Sequence, residues 1–271
     1  MSLKNTVVLI TGAGYPNGIG AGIARCFAAE GAHIAITDLD GAPLETTAAD
    51  LPGDALGIFA DAANQESMRG AVDQVVDRFG GLDVLVNNAG IGGPVLEFGQ
   101  QGSASAFAAM SDELWDTQLT SNLKTAFSSS HAAAPRMNDG GCIVNVASIA
   151  ALGASATLPA YGTAKAGVVH LTKTLAAELA PRGIRVNCIC PGLLWTRAWE
   201  LLTTSMKERQ PEFANMENRQ IFETIVERLV PLGAEQTPED IGNLAVFYAS
   251  DKARMITGQA VAVDGGITAV R

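Results

Sequence analysis

Short apolar runs, rich in β-branched residues, recur along the chain at 6–10, 33–37, 56–60, 84–86, 142–146, 184–189 and 260–263. Unbroken runs of this length suit strands covered on both faces. Between them, apolar positions return at helical spacing over 20–30, 65–79, 112–137 and 164–180. Strand and helix alternate throughout. Because each parallel crossover needs a helix, the pattern predicts an α/β fold. It would be a Rossmann-type doubly wound parallel sheet of about seven strands, with helices on both faces. No linker interrupts the alternation, so residues 1–271 read as a single domain.

Two stretches break the rhythm. Residues 91–110 are rich in Gly, Ser and Ala, include Phe98 and Phe107, and read as a long loop. Such loops are usually functional or mobile. Residues 194–230 carry Trp195, Trp199, Met206, Phe213, Met216 and Phe222 at helical spacing and read as a helical lid.

Composition narrows the function classes. With 28 acidic against 18 basic side chains and a net charge of −10, the chain should not bind nucleic acid non-specifically. No apolar run is long enough to span a bilayer, and the chain opens into a strand rather than a secretory signal. Cys26, Cys142, Cys188 and Cys190 lack metal-ligand spacing and read as small buried apolar side chains, so no metal is expected. A reducing, cytoplasmic setting follows.

The first strand runs into Thr11-Gly12-Ala13-Gly14-Tyr15-Pro16-Asn17-Gly18-Ile19-Gly20 and then a helix. Glycines at such a strand–helix turn let the backbone approach a pyrophosphate, which then rests on the helix N-terminus. Gly12, Asn17, Gly18, Ile19 and Gly20 are therefore candidates for dinucleotide contact. Asp38 ends the second strand, where a carboxylate can accept both hydroxyls of an adenosine ribose. A 2′-phosphate about 4 Å away would cost roughly 4 kcal/mol at an effective dielectric of ~20. Leu39 follows, so that position offers no arginine for such a phosphate, and NAD is expected rather than NADP. A competing role for Asp38 is to cap the next helix, a task also open to Asp40.

Tyr161 and Lys165 are one helical turn apart and share a face. An ammonium near a phenol favours the phenolate, which makes the tyrosine a usable acid/base near neutral pH. Ser148 lies just past the strand 142–146, Asn87-Asn88-Ala89-Gly90 closes the strand 84–86, Asn122 lies in the helix between them, and Pro191-Gly192 and Thr196 follow the strand 184–189. All sit at carboxyl ends of parallel strands or on the following helices, where open α/β sheets bind ligands.

With these pieces, Asp61 and Val263-Asp264-Gly265-Gly266, the chain resembles the classical short-chain dehydrogenases/reductases over nearly its whole length. The resemblance implies that Tyr161 is the acid/base, that Ser148 polarises the substrate oxygen, and that Lys165 binds the nicotinamide ribose and assists Tyr161. Asn122 would hold a water of a proton relay. Asp61, with Ala62 beside it, would contact adenine, and Asn88 and Gly90 would line the adenosine side. Pro191, Gly192, Leu194 and Thr196 would position the carboxamide. It also implies that the helices 112–137 and 164–180, rich in small residues, form subunit contacts in a homotetramer or homodimer.

Two features depart from the family pattern. Five residues separate Gly12 from Gly18, a longer spacing that resembles the family's enoyl reductases; those, however, space Tyr and Lys more widely than Tyr161 and Lys165. The loop 91–110 is long and would lie at the active-site mouth, where Phe98 or Phe107 could wall the substrate pocket. Trp195 and Trp199 on the lid are further substrate candidates, and point to a substrate with an apolar part if they face the cleft. Arg197 would bind an acidic substrate group or pair with Glu200 or Glu227. The expected activity is NAD-dependent interconversion of a secondary alcohol and a ketone. An NADP-dependent 3-oxoacyl reductase and a non-catalytic NAD-binding regulator are the alternatives.

Overall fold

The computed structural model describes residues 3–91 and 107–270. Seven strands form one sheet: β1 (Val7–Thr11), β2 (His33–Asp38), β3 (Ala55–Phe59), β4 (Val84–Asn87), β5 (Cys142–Val146), β6 (Arg185–Pro191) and β7 (Ala260–Val263). Their order is β3-β2-β1-β4-β5-β6-β7, and every pairing is parallel. The order reverses between β1 and β4, which opens a crevice at the carboxyl ends of these strands.

Helices cover both faces. On one side α1 (Ile19–Ala29), α2 (Leu44–Ala49) and α9 (Pro238–Ala249) bury Ile23, Phe27, Leu44 and Ile241 against the sheet. On the other, α3 (Gln65–Phe79), α5 (Thr125–Ala133) and α6 (Pro159–Leu179) bury Met68, Val75, Ala133 and Leu179. α3 is terminated at both ends by its own residues: Asn64 Oδ1 accepts from Glu66 and Ser67 N–H, and Gly80 closes it in a left-handed conformation. Neither α2 nor α9 stands out from periodicity. Even so, α9 carries its own start signal, a Thr237/Asp240 capping box with Pro238 in the first turn.

The expected helix 112–137 is broken. It comprises α4 (Asp112–Leu119), a π-helical segment Thr120–Lys124, α5, and a 3-10 turn Ala134–Arg136. The helix expected from 164 begins earlier, at Pro159, which sets Tyr161 in its first turn. Residues 194–230 form α7 (Arg197–Arg209) and α8 (Asn218–Leu229), tied to the body by a parallel bridge between Leu194 and Gln236. Among the described residues no helix is long and apolar enough to cross a membrane.

The α1–α9 contact fixes how α1 presents its N-terminus to the crevice. A Cβ added at Gly22 would lie 2.2 Å from Pro238 Cβ and 2.9 Å from its carbonyl carbon. Gly22→Ala should therefore destabilise by about 1–3 kcal/mol, despite the roughly 1 kcal/mol that Ala gains in a helix. A thermal melt should show Tm falling by several degrees; an unchanged or raised Tm would mean the two helices separate freely.

Candidate functional site

The carboxyl ends of β1, β4, β5 and β6 open into one cavity of about 1570 Å3, walled on its far side by α7 and α8. Single small-molecule sites are typically about 300–1,000 Å3, so the space suits two ligands side by side. Ser148, Tyr161, Lys165 and Asn122 all line it.

These four converge through backbone placement. A Cβ at Gly90 would lie 2.7 Å from Asn122 Oδ1 and 3.3 Å from Lys165 Nζ, so only glycine lets those two groups meet at the end of β4. Asn122 is the one buried residue of the π-helical segment; such segments recur at functional sites. Asn122 Nδ2 donates to Gln118 Oε1 at 2.8 Å, while its Oδ1 is buried with no hydrogen-bond partner among the described residues. Lys165 is 5% exposed and donates from Nζ to Val146 O at 3.2 Å. Burial lowers its pKa to about 8 from the ordinary 10.5. Its ammonium lies 5.8 Å from the centre of the Tyr161 ring. Ser148 Oγ accepts from Ala150 N–H at 3.2 Å. That geometry leaves its hydroxyl proton for another partner.

Beneath the site, a buried polar ladder ties the strands together. Asn87 Nδ2 donates to Ser130 Oγ (2.8 Å) and Asn145 Oδ1 (2.7 Å), and Asn145 Nδ2 donates to Thr172 Oγ1 (2.8 Å). Sequence reasoning missed this ladder. Its only signal is the presence of asparagines inside otherwise apolar strands. Cys188 and Cys190 share one face of β6, in a small apolar cluster with Ala126, Ala147 and Val168. Burial pushes the Cys142 thiol up to about 11. Among the described residues no group of three or more His, Cys, Asp or Glu is placed to hold a metal.

The glycine turn resolves into distinct jobs. Gly12 has φ +66°, and a Cβ there would sit 2.6 Å from Ala89 Cα. A Cβ at Gly20 would sit 2.6 Å from Gly12 O and 2.7 Å from Asn88 Nδ2, so Gly20 serves contact between chain segments rather than the cavity wall. Asn88 reinforces this corner by donating to Thr11 O and Gly12 O at 3.1 and 2.8 Å. Gly12, Asn17, Gly18 and Ile19 border the cavity. Gly18 is the N-cap of α1 and has no side chain to cap the first-turn N–H groups. Those donors point out of the helix end toward the cavity wall they help form.

Asp38 is not a helix cap, and neither is Asp40: α2 starts from Pro43 without a side-chain cap. Asp38 Oδ2 accepts from Gly14 N–H and Oδ1 from Leu39 N–H, both at 2.8 Å. Gly14 N–H is thereby occupied. Carboxylate oxygens each accept about two hydrogen bonds, so capacity remains on Asp38. Leu39 is 53% exposed. Asp61 is exposed and accepts from Ala63 N–H at 2.8 Å, and Ala62 is buried under α3. Asp38, Leu39, Asp61 and Ala62 lie at the β2 and β3 ends of the same sheet edge, outside the main cavity.

On the opposite side, Pro191, Gly192, Leu194 and Thr196 border the cavity. Gln236, unnoticed in the sequence, holds this segment: its Oε1 accepts from Gly192 N–H at 2.9 Å, and its amide donates to Val263 O. Asp264 accepts from Gly266 N–H (2.9 Å) and from Thr268 N–H and Oγ1 (2.8 and 2.7 Å), which accounts for the Val263-Asp264-Gly265-Gly266 stretch as a turn lock.

The apolar candidates separate. Trp199, Met206 and Phe213 border the cavity, joined by Leu152, Leu158 and Ile225. Trp195 does not border it; its ring packs on Phe222 at 5.2 Å, and Trp199 meets the same ring at 5.1 Å. Phe107 is 71% exposed and also away from the cavity. Phe98 lies outside the described residues. Arg197 pairs with neither Glu200 nor Glu227 but lies over the Tyr15 ring, 5.5 Å from its centre.

Residues 12–268 match the family model described as Enoyl-(Acyl carrier protein) reductase. A dehydrogenase subunit acting on a hydroxy(phenyl)methylsuccinyl-CoA in Thauera aromatica is 36% identical, with 98% of each chain covered. The chain belongs to the short-chain dehydrogenase/reductase family. It is also 35% identical to a 3-oxoacyl-(acyl-carrier-protein) reductase of Thermotoga maritima, covering 98% of this chain and 99% of that one. Among solved structures it is similar to the L-sorbose reductase of Gluconobacter frateurii, complexed with NADPH and L-sorbose. That similarity has a TM-score of 0.85 and 30% identity, over 98% of this chain and 97% of the other. Members of this family are oxidoreductases that bind a nicotinamide cofactor, and the residues present fit one. The close approach of Gly12 to Ala89, the uncapped start of α1 and the orphaned Asn122 Oδ1 together make a cradle of backbone donors ending at a buried acceptor.

Proposed function

We propose that this short-chain dehydrogenase/reductase interconverts a secondary alcohol and a ketone with NAD, on a substrate that carries an apolar portion. The observation that carries this reading is the meeting of Ser148, Tyr161, Lys165 and Asn122 on one wall of the cavity at the sheet's carboxyl edge.

When bound, the nicotinamide supplies the hydride acceptor or donor, which no side chain can provide. The chain handles the proton. The Tyr161 phenolate removes it from the alcohol, and in the reverse direction the Tyr161 hydroxyl returns it to the ketone oxygen. Ser148 donates a hydrogen bond to that same oxygen and holds it against Tyr161. Lys165 holds ribose hydroxyls, and its positive charge favours the Tyr161 phenolate. The unpaired Asn122 Oδ1 accepts from a water that relays protons outward from Lys165. Gly12, Asn17, Gly18 and Ile19 hold the pyrophosphate, with Gly20 supporting them. Asp61, Ala62, Asn88 and Gly90 form the adenosine side, and Pro191, Gly192, Leu194 and Thr196 the carboxamide side. Residues 194–230 act as the lid of a single catalytic domain, and Trp199, Met206 and Phe213 meet the substrate's apolar part. The one-turn spacing of Tyr161 and Lys165 supports alcohol and ketone chemistry over enoyl reduction. An exposed groove at Leu119, Leu123 and Phe127, on the π-helical segment and its flanks, suits the subunit contact of a homotetramer or homodimer.

The preference for NAD rests on Asp38, beside which a 2′-phosphate meets a carboxylate and no arginine. A second reading, an NADP-dependent ketoreductase, draws on the NADPH-bound L-sorbose reductase. The two are separated by turnover of a panel of secondary alcohols (sugars, hydroxysteroids, aryl alcohols and 3-hydroxyacyl thioesters) with each cofactor. NAD should serve, and the double substitution Asp38→Asn with Leu39→Arg should raise the NADP-to-NAD ratio of kcat/KM by about 100-fold or more. Asn is chosen because its oxygen still accepts from Gly14 N–H. Turnover of the unmodified protein with NADP alone would favour the ketoreductase.

A further inference from the structure

The five residues between Gly12 and Gly18 make a platform that reaches the lid. Three bonds anchor the turn from behind and a fourth closes it on itself. Gly14 N–H donates to Asp38 Oδ2 (2.8 Å), Thr47 Oγ1 donates to Gly14 O (2.7 Å), and Gly18 N–H donates to Tyr15 O (2.9 Å). Arg25 donates to Pro16 O at 2.8 Å and is itself held by Glu239 at 2.6 Å. So fixed, the turn holds out the Tyr15 ring, 42% exposed, at the cavity rim. Over that ring lies Arg197, the first residue of α7, which borders the same cavity from the lid side.

A guanidinium lying over an aromatic ring spends no hydrogen bond on it, so its five N–H donors stay free for an anion. No described residue pairs with those donors. The cavity wall next to Tyr15 is made by Gly18 and Ile19, the start of α1, where the helix end favours an anion. An arginine with unspent donors, held on a rigid ring beside an uncapped helix start, matches a diphosphate in charge and in fork geometry.

We infer that Tyr15 and Arg197 form a latch across the cavity rim, in which Arg197 binds the cofactor pyrophosphate from the lid side. This rests on the dinucleotide reading given above. The latch couples the lid to the cofactor: the contact with the Tyr15 ring positions Arg197, and diphosphate binding draws α7 toward the glycine turn. It also gives the longer turn a use, since a shorter one would not carry Tyr15 out to the lid.

The test is calorimetric titration with ADP-ribose, which carries the pyrophosphate but no nicotinamide. Arg197→Ala should bind it about 10-fold more weakly than the unmodified protein, the scale of one charge-assisted hydrogen bond. Arg197→Lys should fall between, because a point charge replaces the fork. Tyr15→Ala should lose several-fold, and Tyr15→Phe, which keeps the ring, should not. The deficit of Arg197→Ala should shrink as salt is raised, which a purely structural role would not produce. Equal affinity of Arg197→Ala and the unmodified protein would overturn the latch while leaving the dinucleotide reading intact. Failure of the unmodified protein to bind ADP-ribose would overturn both.

Discussion

Tyr161→Phe should lower kcat by about 10²- to 10⁴-fold while NAD still binds, the usual scale for removing a positioned general acid/base. The substitution deletes one oxygen and keeps the ring that faces Lys165. The contacts proposed for the pyrophosphate, adenosine ribose and carboxamide, at the glycine turn, Asp38 and the Gly192–Gln236 corner, do not use that oxygen. The loss should therefore fall on kcat, with the cofactor dissociation constant within about twofold of its original value. Steady-state kinetics and a binding titration separate the two quantities. Turnover that survives the substitution would remove Tyr161 from the mechanism.

Lys165→Met should abolish activity to a similar degree and make the protein more stable. Burial is the first cause of the lowered Lys165 pKa, about 8 against 10.5, so holding the ammonium charged at neutral pH costs about 3 kcal/mol. One hydrogen bond, to Val146 O, returns roughly 1 kcal/mol of that. A net gain of about 1–2 kcal/mol on replacement should raise Tm by several degrees. The sign with pH follows from the same shift. Below pH 8 both folded and unfolded chains carry the proton, and the penalty is at its full value. Between about 8 and 10.5 the folded protein has released the proton and the unfolded chain retains it, so the stability contributed by this group rises with pH. The advantage of Lys165→Met should accordingly narrow across that window in denaturation experiments. A variant less stable than the original at pH 7 would mean the ammonium is better paired than its surroundings indicate. Tying up a buried charge for chemistry at the expense of stability is a common trade at active sites.

The inner strands β1, β2, β4, β5 and β6 were legible because they are buried on both faces, which leaves an unbroken apolar run, and the half-covered edge strands β3 and β7 keep shorter runs of the same kind. Tyr161 and Lys165 were legible because a single helix turn sets their relation locally. What was not legible depends on contacts between distant segments. The periodicity of 112–137 continues through Thr120–Lys124, and nothing in those residues announces the π-helical turn that carries Asn122. Asp38 could be placed at the end of its strand, but not in the bond it forms with Gly14 N–H, which requires two loops to pack. Trp195 and Trp199 have the same character in sequence. Which one meets the cavity is decided by how α7 and α8 close on Phe222. The start of α9, by contrast, is written plainly in Thr237-Pro238-Glu239-Asp240.

We propose hydride transfer between a secondary alcohol and NAD in this cavity. The most direct measurement offers NAD and NADP together at equal concentration with an alcohol deuterated at its carbinol carbon, and reads the reduced cofactors by mass spectrometry. The site as described predicts ketone formation with deuterium in NADH, and almost none of either in Tyr161→Phe. Deuterium in NADPH alone, or ketone formed with no label in either cofactor, would contradict it.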